Sequence, residues 1–425
     1  MFTPEQAAAL SGSPSLIQRR VDAAVRAIDA GIPSFEEEVW RYSPIDELNL
    51  SNYHLGGEAG AMPSGLVDDV LATAAATVQV SNGVLVSIDI NNADVSIHRA
   101  DELEDGAAIG SVMTEAVDMF ADMNLAFTTA PIVIDIPAGK VIAEPIVVSS
   151  YTDIDGLAWF PRLVVRVGEN AECTIVEHHS SADVSALVVP ITEMRVDQAA
   201  RAGQLTVQEL GPRVWQLGSM LGDIHRDAHL EVSQVALGGG YARMRMDTRM
   251  VGKGANGDIN AVYFGRGDAS HDFRTFQTHI APHTNSKLLF KGAVDDQSRA
   301  IYTGLIRIGK EASAVTAFQT NRNLKLSDDA WAESVPNLEI ENNDVKCSHA
   351  SAVGPIDADQ QFYLESRGVP ADVAETLVVR GFFSEVLEQL PVPAIAAATR
   401  VRLNELLADA GIDDVRVGAR EEVSA

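Results

Sequence analysis

Between about residue 127 and residue 356 the sequence has no stretch of helical periodicity, and a short motif returns through it at a nearly constant interval. The motif is a small or polar group followed by a run of β-formers. Its clearest copies are Ala171-Glu172-Cys173-Thr174-Ile175, Ala202-Gly203-Gln204-Leu205, Ala228-His229-Leu230-Glu231-Val232 and Ala255-Asn256-Gly257-Asp258-Ile259. Thr284-Asn285-Ser286-Lys287-Leu288 and Ala312-Ser313-Ala314-Val315 continue it, so that the leading residues lie 31, 26, 27, 29 and 28 apart. A repeat of this length, built of short strands, suits the coil of a β-solenoid, whose turns stack and bury one continuous apolar column. A two-sheet sandwich also gives short strands every 8–12 residues or about that, and only the recurrence favours the coil.

The ends of the chain read differently. From Pro4 to Ala30, Leu16, Val21, Ala24, Val25 and Ile28 recur at helical spacing, with Gly31 and Pro33 as the stop, which predicts one amphipathic helix. Trp40-Arg41-Tyr42 precedes Pro44 and is expected to anchor a corner by its two aromatics. Residues 65–78 and 113–126 read as helices, and VLVSIDI with ADVSIHRA as a hairpin turning at Asn91-Asn92. After 356, Asp357 caps one helix that Gly368 stops. Pro370 opens a second, with Val373, Leu377, Val378, Phe382, Val386 and Leu387 on one face, and Pro391 and Pro393 precede a third that ends at Gly411 before a polar tail. The expected division is a mainly helical region with a hairpin over 1–126, a β-solenoid core over 127–356 and a helical region over 357–425. The last helices are expected to cap the open end of the solenoid and to present a docking surface.

A formal charge of −28 argues against nucleic acid or an anionic membrane as partner, because both select clustered Lys and Arg. Two cysteines, Cys173 and Cys347, cannot make a disulfide framework or a four-thiolate cluster site in one chain, and a reducing cytoplasm is the expected location. No basic head with an apolar run opens the chain and no window of eighteen apolar residues occurs, so neither export nor insertion is expected.

Chemistry concentrates between Phe318 and Gly354. There Cys347 stands two residues before His349, and on an extended strand the two point to one face, where thiol and imidazole could meet one metal or one partner surface. On these residues alone, a buried thiol beside a surface histidine is the commoner outcome. Gly252-Lys253-Gly254-Ala255-Asn256-Gly257 satisfies GxGxxG but opens no helix, and reads as a solenoid turn. Arg266-Gly267-Asp268 reads as a turn too, and His178, His179, His225 and His229 as dispersed histidines. No lysine is followed by Ser or Thr, which leaves no Walker A nucleotide site, and GxSxG, HExxH and CxxC are absent.

The run from Asn321 to Val369, NRNLKLSDDAWAESVPNLEIENNDVKCSHASAVGPIDADQQFYLESRGV, resembles the carboxy-terminal signature of the SufB/SufD family of iron–sulfur cluster assembly scaffolds, on its SufD side. Trp40-Arg41-Tyr42, HIAPHTNSKLLFKGAV at 279–294 and RAIYTGLIRI at 299–308 match as well. The resemblance implies a right-handed parallel β-helix flanked by helical ends, in a cytoplasmic, non-enzymatic scaffold that pairs with SufB and binds the SufC ATPase in a SufBCD complex. It makes His349 a cluster ligand or proton-handling group facing SufB, Cys347 a supporting thiol, and the cluster itself a transient guest at the interface. SufB's Cys-Gly-Ala-His segment is missing; Ala330-Trp331-Ala332-Glu333-Ser334 stands in its place, so the sulfur acceptor belongs to SufB. SufC docking falls on Val373, Leu377, Val378, Phe382 and Val386. Flavin binding and a homodimer in isolation are left open. The competing readings are a β-helix enzyme acting on polysaccharide and a SufD-like homodimer with no cluster role.

Overall fold

The computed structural model describes residues 2–103 and 108–409. Residues 132–354 wind into a parallel β-solenoid of about eight turns, as the repeat predicts, with helices before and after it. Each turn gives one strand to each of two sheets. The first sheet runs through Ile146–Thr152, Glu172–Ser181, Arg201–Glu209, His229–Ala236, Asn256–Gly265, Asn285–Val294 and Val315–Lys325 to Val345–Gly354. The second runs through Ile132–Ile136, Arg162–Val167, Ile191–Val196, Val214–Ile224, Tyr241–Met250, Ser270–His279 and Arg299–Ile308 to Trp331–Ile340.

One corner keeps the turns in step. Gly139, Asn170, Ala199, Asp227, Gly254 and His283 all have φ between 53° and 73° or, for Gly254, 77°. Each donates its amide N–H to a carbonyl one turn further on, as from Asn170 to Gln198 O at 3.0 Å, Ala199 to Arg226 O at 2.8 Å and Asp227 to Lys253 O at 2.9 Å. After five of these six a small buried residue follows, Ala171, Ala200, Ala228, Ala255 and Thr284, whereas Gly139 in the first turn is followed by exposed Lys140. The repeat therefore leads with Ala200, and the sequence-read Ala202 lies two residues inside its strand. With Ala200 the first two intervals become 29 and 28, so the irregularity was a slip of frame between two alanines. The GxGxxG run is this corner's turn.

Corrections fall in the flanks. The first helix is two, Pro4–Ala8 and Pro14–Ala30, because Ser13 caps a new start and Pro14 occupies its first turn. It buries Leu16, Ala23, Ala24 and Ala27, while Val25 and Ile28 face solvent. Only Asp68–Leu71 of 65–78 is helical, and the later helix spans Met119–Phe127. The hairpin is Ala76–Ser81 with Val84–Ile90, turning at Asn82-Gly83, whose φ values of 51° and 78° are those of a tight primed turn. Ser96–Arg99 pairs with Ile132–Ile136 instead. Both sheets thus begin on an antiparallel strand.

The C-terminal helices do not cap the open end. Helix Ala371–Leu387 lies along the outer flank of the first sheet, where Val379, Phe383, Val386 and Leu387 join Val207, Val235, Val262, Phe264 and Leu289 in one cluster. Those strands carry apolar residues on both faces, so the flank needs a cover more than the end does. The expected stop at Gly411 and the tail to Ala425 lie outside the described residues.

Trp40 is the corner anchor. It is buried against Phe120, with the Arg243 guanidinium 3.8 Å over its ring, whereas Tyr42 is exposed beside Trp331. Arg243 and Arg274 donate to the carbonyls of Val39 and Arg41 at 2.8 Å, and both pair with fully buried Asp272. The cost of burying Asp272 is outweighed by the two guanidinium groups, which hold its carboxyl below the usual range. Asp272→Ala leaves two guanidinium groups buried and unpaired, and should cost about 3–5 kcal/mol in a denaturant titration.

Within the column, Glu177 sits fully buried and accepts hydrogen bonds from Thr192 Oγ1 and Gln204 Nε2, each at 2.8 Å. His179 Nε2 lies 3.9 Å away, in a ring that burial and His178 push down to about 3, hence neutral. Burial pushes the Glu177 carboxyl up. The folded state thus holds this proton more tightly than the unfolded state, and stability falls as pH rises above the unfolded value of about 4.3. Glu177→Gln should raise Tm at about pH 8 and flatten the fall of Tm with pH; a lower Tm at that pH would show that the carboxylate's hydrogen bonds outweigh its burial.

Candidate functional site

The two ends of the solenoid are unlike. Antiparallel strands close the first turn, while Val345–Gly354 and Trp331–Ile340 are each the last in their sheet, paired on one side only. Pro336 interrupts the amide row of the second, whereas Val345–Gly354 contains no proline and offers an unbroken edge. Leu338, Ile340 and Val353 stand exposed at this end.

Cys347 and His349 lie on the unbroken strand. Cys347 is in register with buried Ala317 and His349 with buried Gln319, so both side chains face the mouth of the column. The two nevertheless live in different surroundings. Cys347 is half-buried and packs with Val345 against Ile306, Ile308, Ala312, Val315 and Ala317, and this burial pushes its thiol up, away from the thiolate. His349 is exposed, and no hydrogen bond or ion pair among the described residues engages its ring. Cys173, far down the column, is pushed up to about 12 by burial and has no part in the site.

Beneath the mouth the column turns polar. Gln319 Nε2 donates to Tyr302 OH, which is 2.9 Å from Thr275 Oγ1; Tyr263 OH donates to Asn323 Oδ1 at 2.6 Å, and Asn323 Nδ2 to Asn321 Oδ1 at 2.9 Å. Glycines make the room. A Cβ on Gly292 would lie 1.8 Å from the Tyr263 ring, and one on Gly304 would lie 2.0 Å from Gln319 Nε2. These residues were passed over in the sequence reading, although a glycine inside a strand, as in FKGAV and YTGLI, is itself a sign of close approach. Among the described residues, Gln319 Oε1 and Ser334 Oγ, the latter in register with Tyr302, are buried in the last turns and make no hydrogen bond.

The histidines read from the sequence as dispersed lie away from this end. His178 pairs with Glu209 at 2.9 Å, and His179 is 2.8 Å from Ser150 Oγ. His225 and His229 are half-buried at a corner. Among the described residues no three His, Cys, Asp or Glu side chains converge as a metal site, and no helix is long and apolar enough to cross a membrane.

A second feature lies beside the end turn. Helices Ala358–Ser366 and Ala371–Leu387 form with the last strands a cavity of about 840 Å³, lined by Leu377, Val378, Phe382, Tyr363, Val353 and Arg322 among others. Of the five residues expected to dock a partner, Leu377 is 46% exposed, Val373, Val378 and Phe382 are half-buried, and Val386 is fully buried in the flank cluster. Helix Ala358–Ser366 buries no residue and shows Phe362 and Tyr363 to solvent at 69% and 57%.

A family model described as the SufBD core domain of SUF-system FeS cluster assembly matches residues 150–382. An iron–sulfur cluster assembly SufBD family protein of Mycobacterium tuberculosis is 30% identical over 377 residues, 86% of each chain. The iron–sulfur cluster assembly protein SufD of Escherichia coli is 26% identical over 390 residues, covering 89% of this chain and 90% of that one. SufD of Bacillus subtilis is 28% identical over 263 residues, 61% of this chain and 60% of its own.

Proposed function

Because the chain belongs to the SufBD family of the SUF iron–sulfur cluster assembly system, we propose that it is a SufD-type, non-enzymatic scaffold subunit that pairs with SufB through the open end of its solenoid and binds the SufC ATPase through its C-terminal helices. The observation that carries this reading is an exposed His349, which no hydrogen bond or ion pair among the described residues engages, on an unbroken strand that is paired on one side only and is the last in its sheet. A strand of another chain can add to that edge by backbone hydrogen bonds, which brings its side chains beside His349. A second copy of this chain can use the same edge when SufB is absent.

The imidazole would then offer one nitrogen to a cluster whose other ligands are the partner's, an open arrangement suited to a cargo that must leave. Cys347, protonated and packed, would support the strand more than it ligates. Any ATP hydrolysis would be SufC's. Co-expression with SufB and SufC chains, purification of the complex and assay of iron and acid-labile sulfide test the reading. A chain that recruits neither partner and accumulates no cluster contradicts it.

A further inference from the structure

The mouth of the solenoid holds a buried hydrogen-bond acceptor to which no donor among the described residues bonds. Gln319 is 2% exposed, its Nε2 is committed to Tyr302 OH, and its Oε1 is left without a partner. A buried amide oxygen stripped of water and left without a bond is unfavourable, so such an atom calls for a donor. The residue in register above it is His349, one strand spacing or about 4.8 Å away along the sheet. Its ring is equally unengaged and points to the same face.

We propose that Gln319 is a positioning residue for His349: its Oε1 accepts the N–H of the imidazole, which fixes the tautomer and turns the other ring nitrogen, with its lone pair, outward. A ligating histidine is commonly oriented by a hydrogen bond to its other nitrogen, and here a neutral amide supplies it. Tyr302 holds the amide by its hydroxyl, and Gly304 leaves the volume the amide fills. The layers Thr275, Tyr302, Gln319 and His349 then form one chain of hydrogen bonds from the column to the rim. The inference rests on the reading of His349 as facing the cluster, but the geometry beneath it can be tested without one.

The test is ¹⁵N NMR of the His349 ring in the full chain, without iron or sulfide, at a pH where the ring is neutral. One tautomer should dominate in the wild type. Gln319→Leu should raise the minor tautomer severalfold, Gln319→Glu should keep the wild-type form because it retains the acceptor, and Gly304→Ala should behave like Gln319→Leu by displacing the amide. Identical ring spectra in the wild type and Gln319→Leu overturn the proposal, and if that variant does not fold, identical spectra in the wild type and Tyr302→Phe do so. In the complex, Gln319→Leu should lower cluster yield severalfold; a full yield with a changed ring spectrum would put the fault in the reading of His349 and leave its positioning by Gln319 intact.

Discussion

His349→Ala should abolish cluster accumulation on the complex with SufB and SufC while the complex itself still assembles. The ring is exposed, takes part in no hydrogen bond or ion pair among the described residues and lies beyond the packed layers, so its loss would remove the proposed nitrogen ligand with little else. Surface changes of this kind move stability by about 0.5 kcal/mol or less. Cys347→Ala should act the other way round. That thiol packs against Ile306, Ile308 and Val315 and is held protonated by burial, so its loss should cost about 1 kcal/mol of packing and reduce cluster yield less. Iron and sulfide per complex, beside a melting curve for each variant, measure both effects. Wild-type cluster yield in His349→Ala would make this histidine an ordinary surface residue.

The solenoid was legible because its cause is periodic. Each turn repeats a left-handed corner, a small buried residue and a strand, and the eye needs only Ala171, Ala228 and Ala255 to find the period. The strand with Cys347 and His349 was legible from the turn formers around it, Pro336-Asn337 and Asn342-Asn343-Asp344. The errors lie where two local readings competed. Asn82-Gly83 and Asn91-Asn92 both look like turns, and only the first supplies two residues suited to positive φ. Ser13-Pro14 was a start signal inside what read as one continuous helix. Other features were hidden because they are relations between turns. That His349 stands over Gln319 follows from register, and register needs the frame that the Ala202 slip had blurred. That the last helices lie on the flank instead of the end follows from Val207, Val262, Phe264 and Leu289 pointing outward, which a strand apolar on both faces does not reveal until its neighbours are known.

That placement changes how SufC docking is to be tested. Removing residues 357–425 would take away Val379, Phe383, Val386 and Leu387 as well, and bare the apolar flank of the first sheet, so loss of SufC would say nothing of where it docks. The surface that helix packing does not use is Leu377 with half-buried Val373, Val378 and Phe382; Tyr363 lines the same cavity, and exposed Phe362 precedes it on the neighbouring helix. An apolar partner surface laid on it would bury Leu377 and Phe362, each worth about 1.5–3 kcal/mol when fully covered. Leu377→Asp with Phe362→Asp places two charges under that cover, which should weaken SufC retention by at least about a hundredfold, taking roughly 1.4 kcal/mol as tenfold. The double variant leaves the flank cluster whole, so its melting temperature should stay near the wild type and its pairing with SufB, some distance along the end strand, should survive. Co-purification of tagged SufC with the variant, against Val386→Ala as a control that loosens the helix without altering the surface, decides it: SufC retained at the wild-type level by the double aspartate variant would move the docking site off these helices.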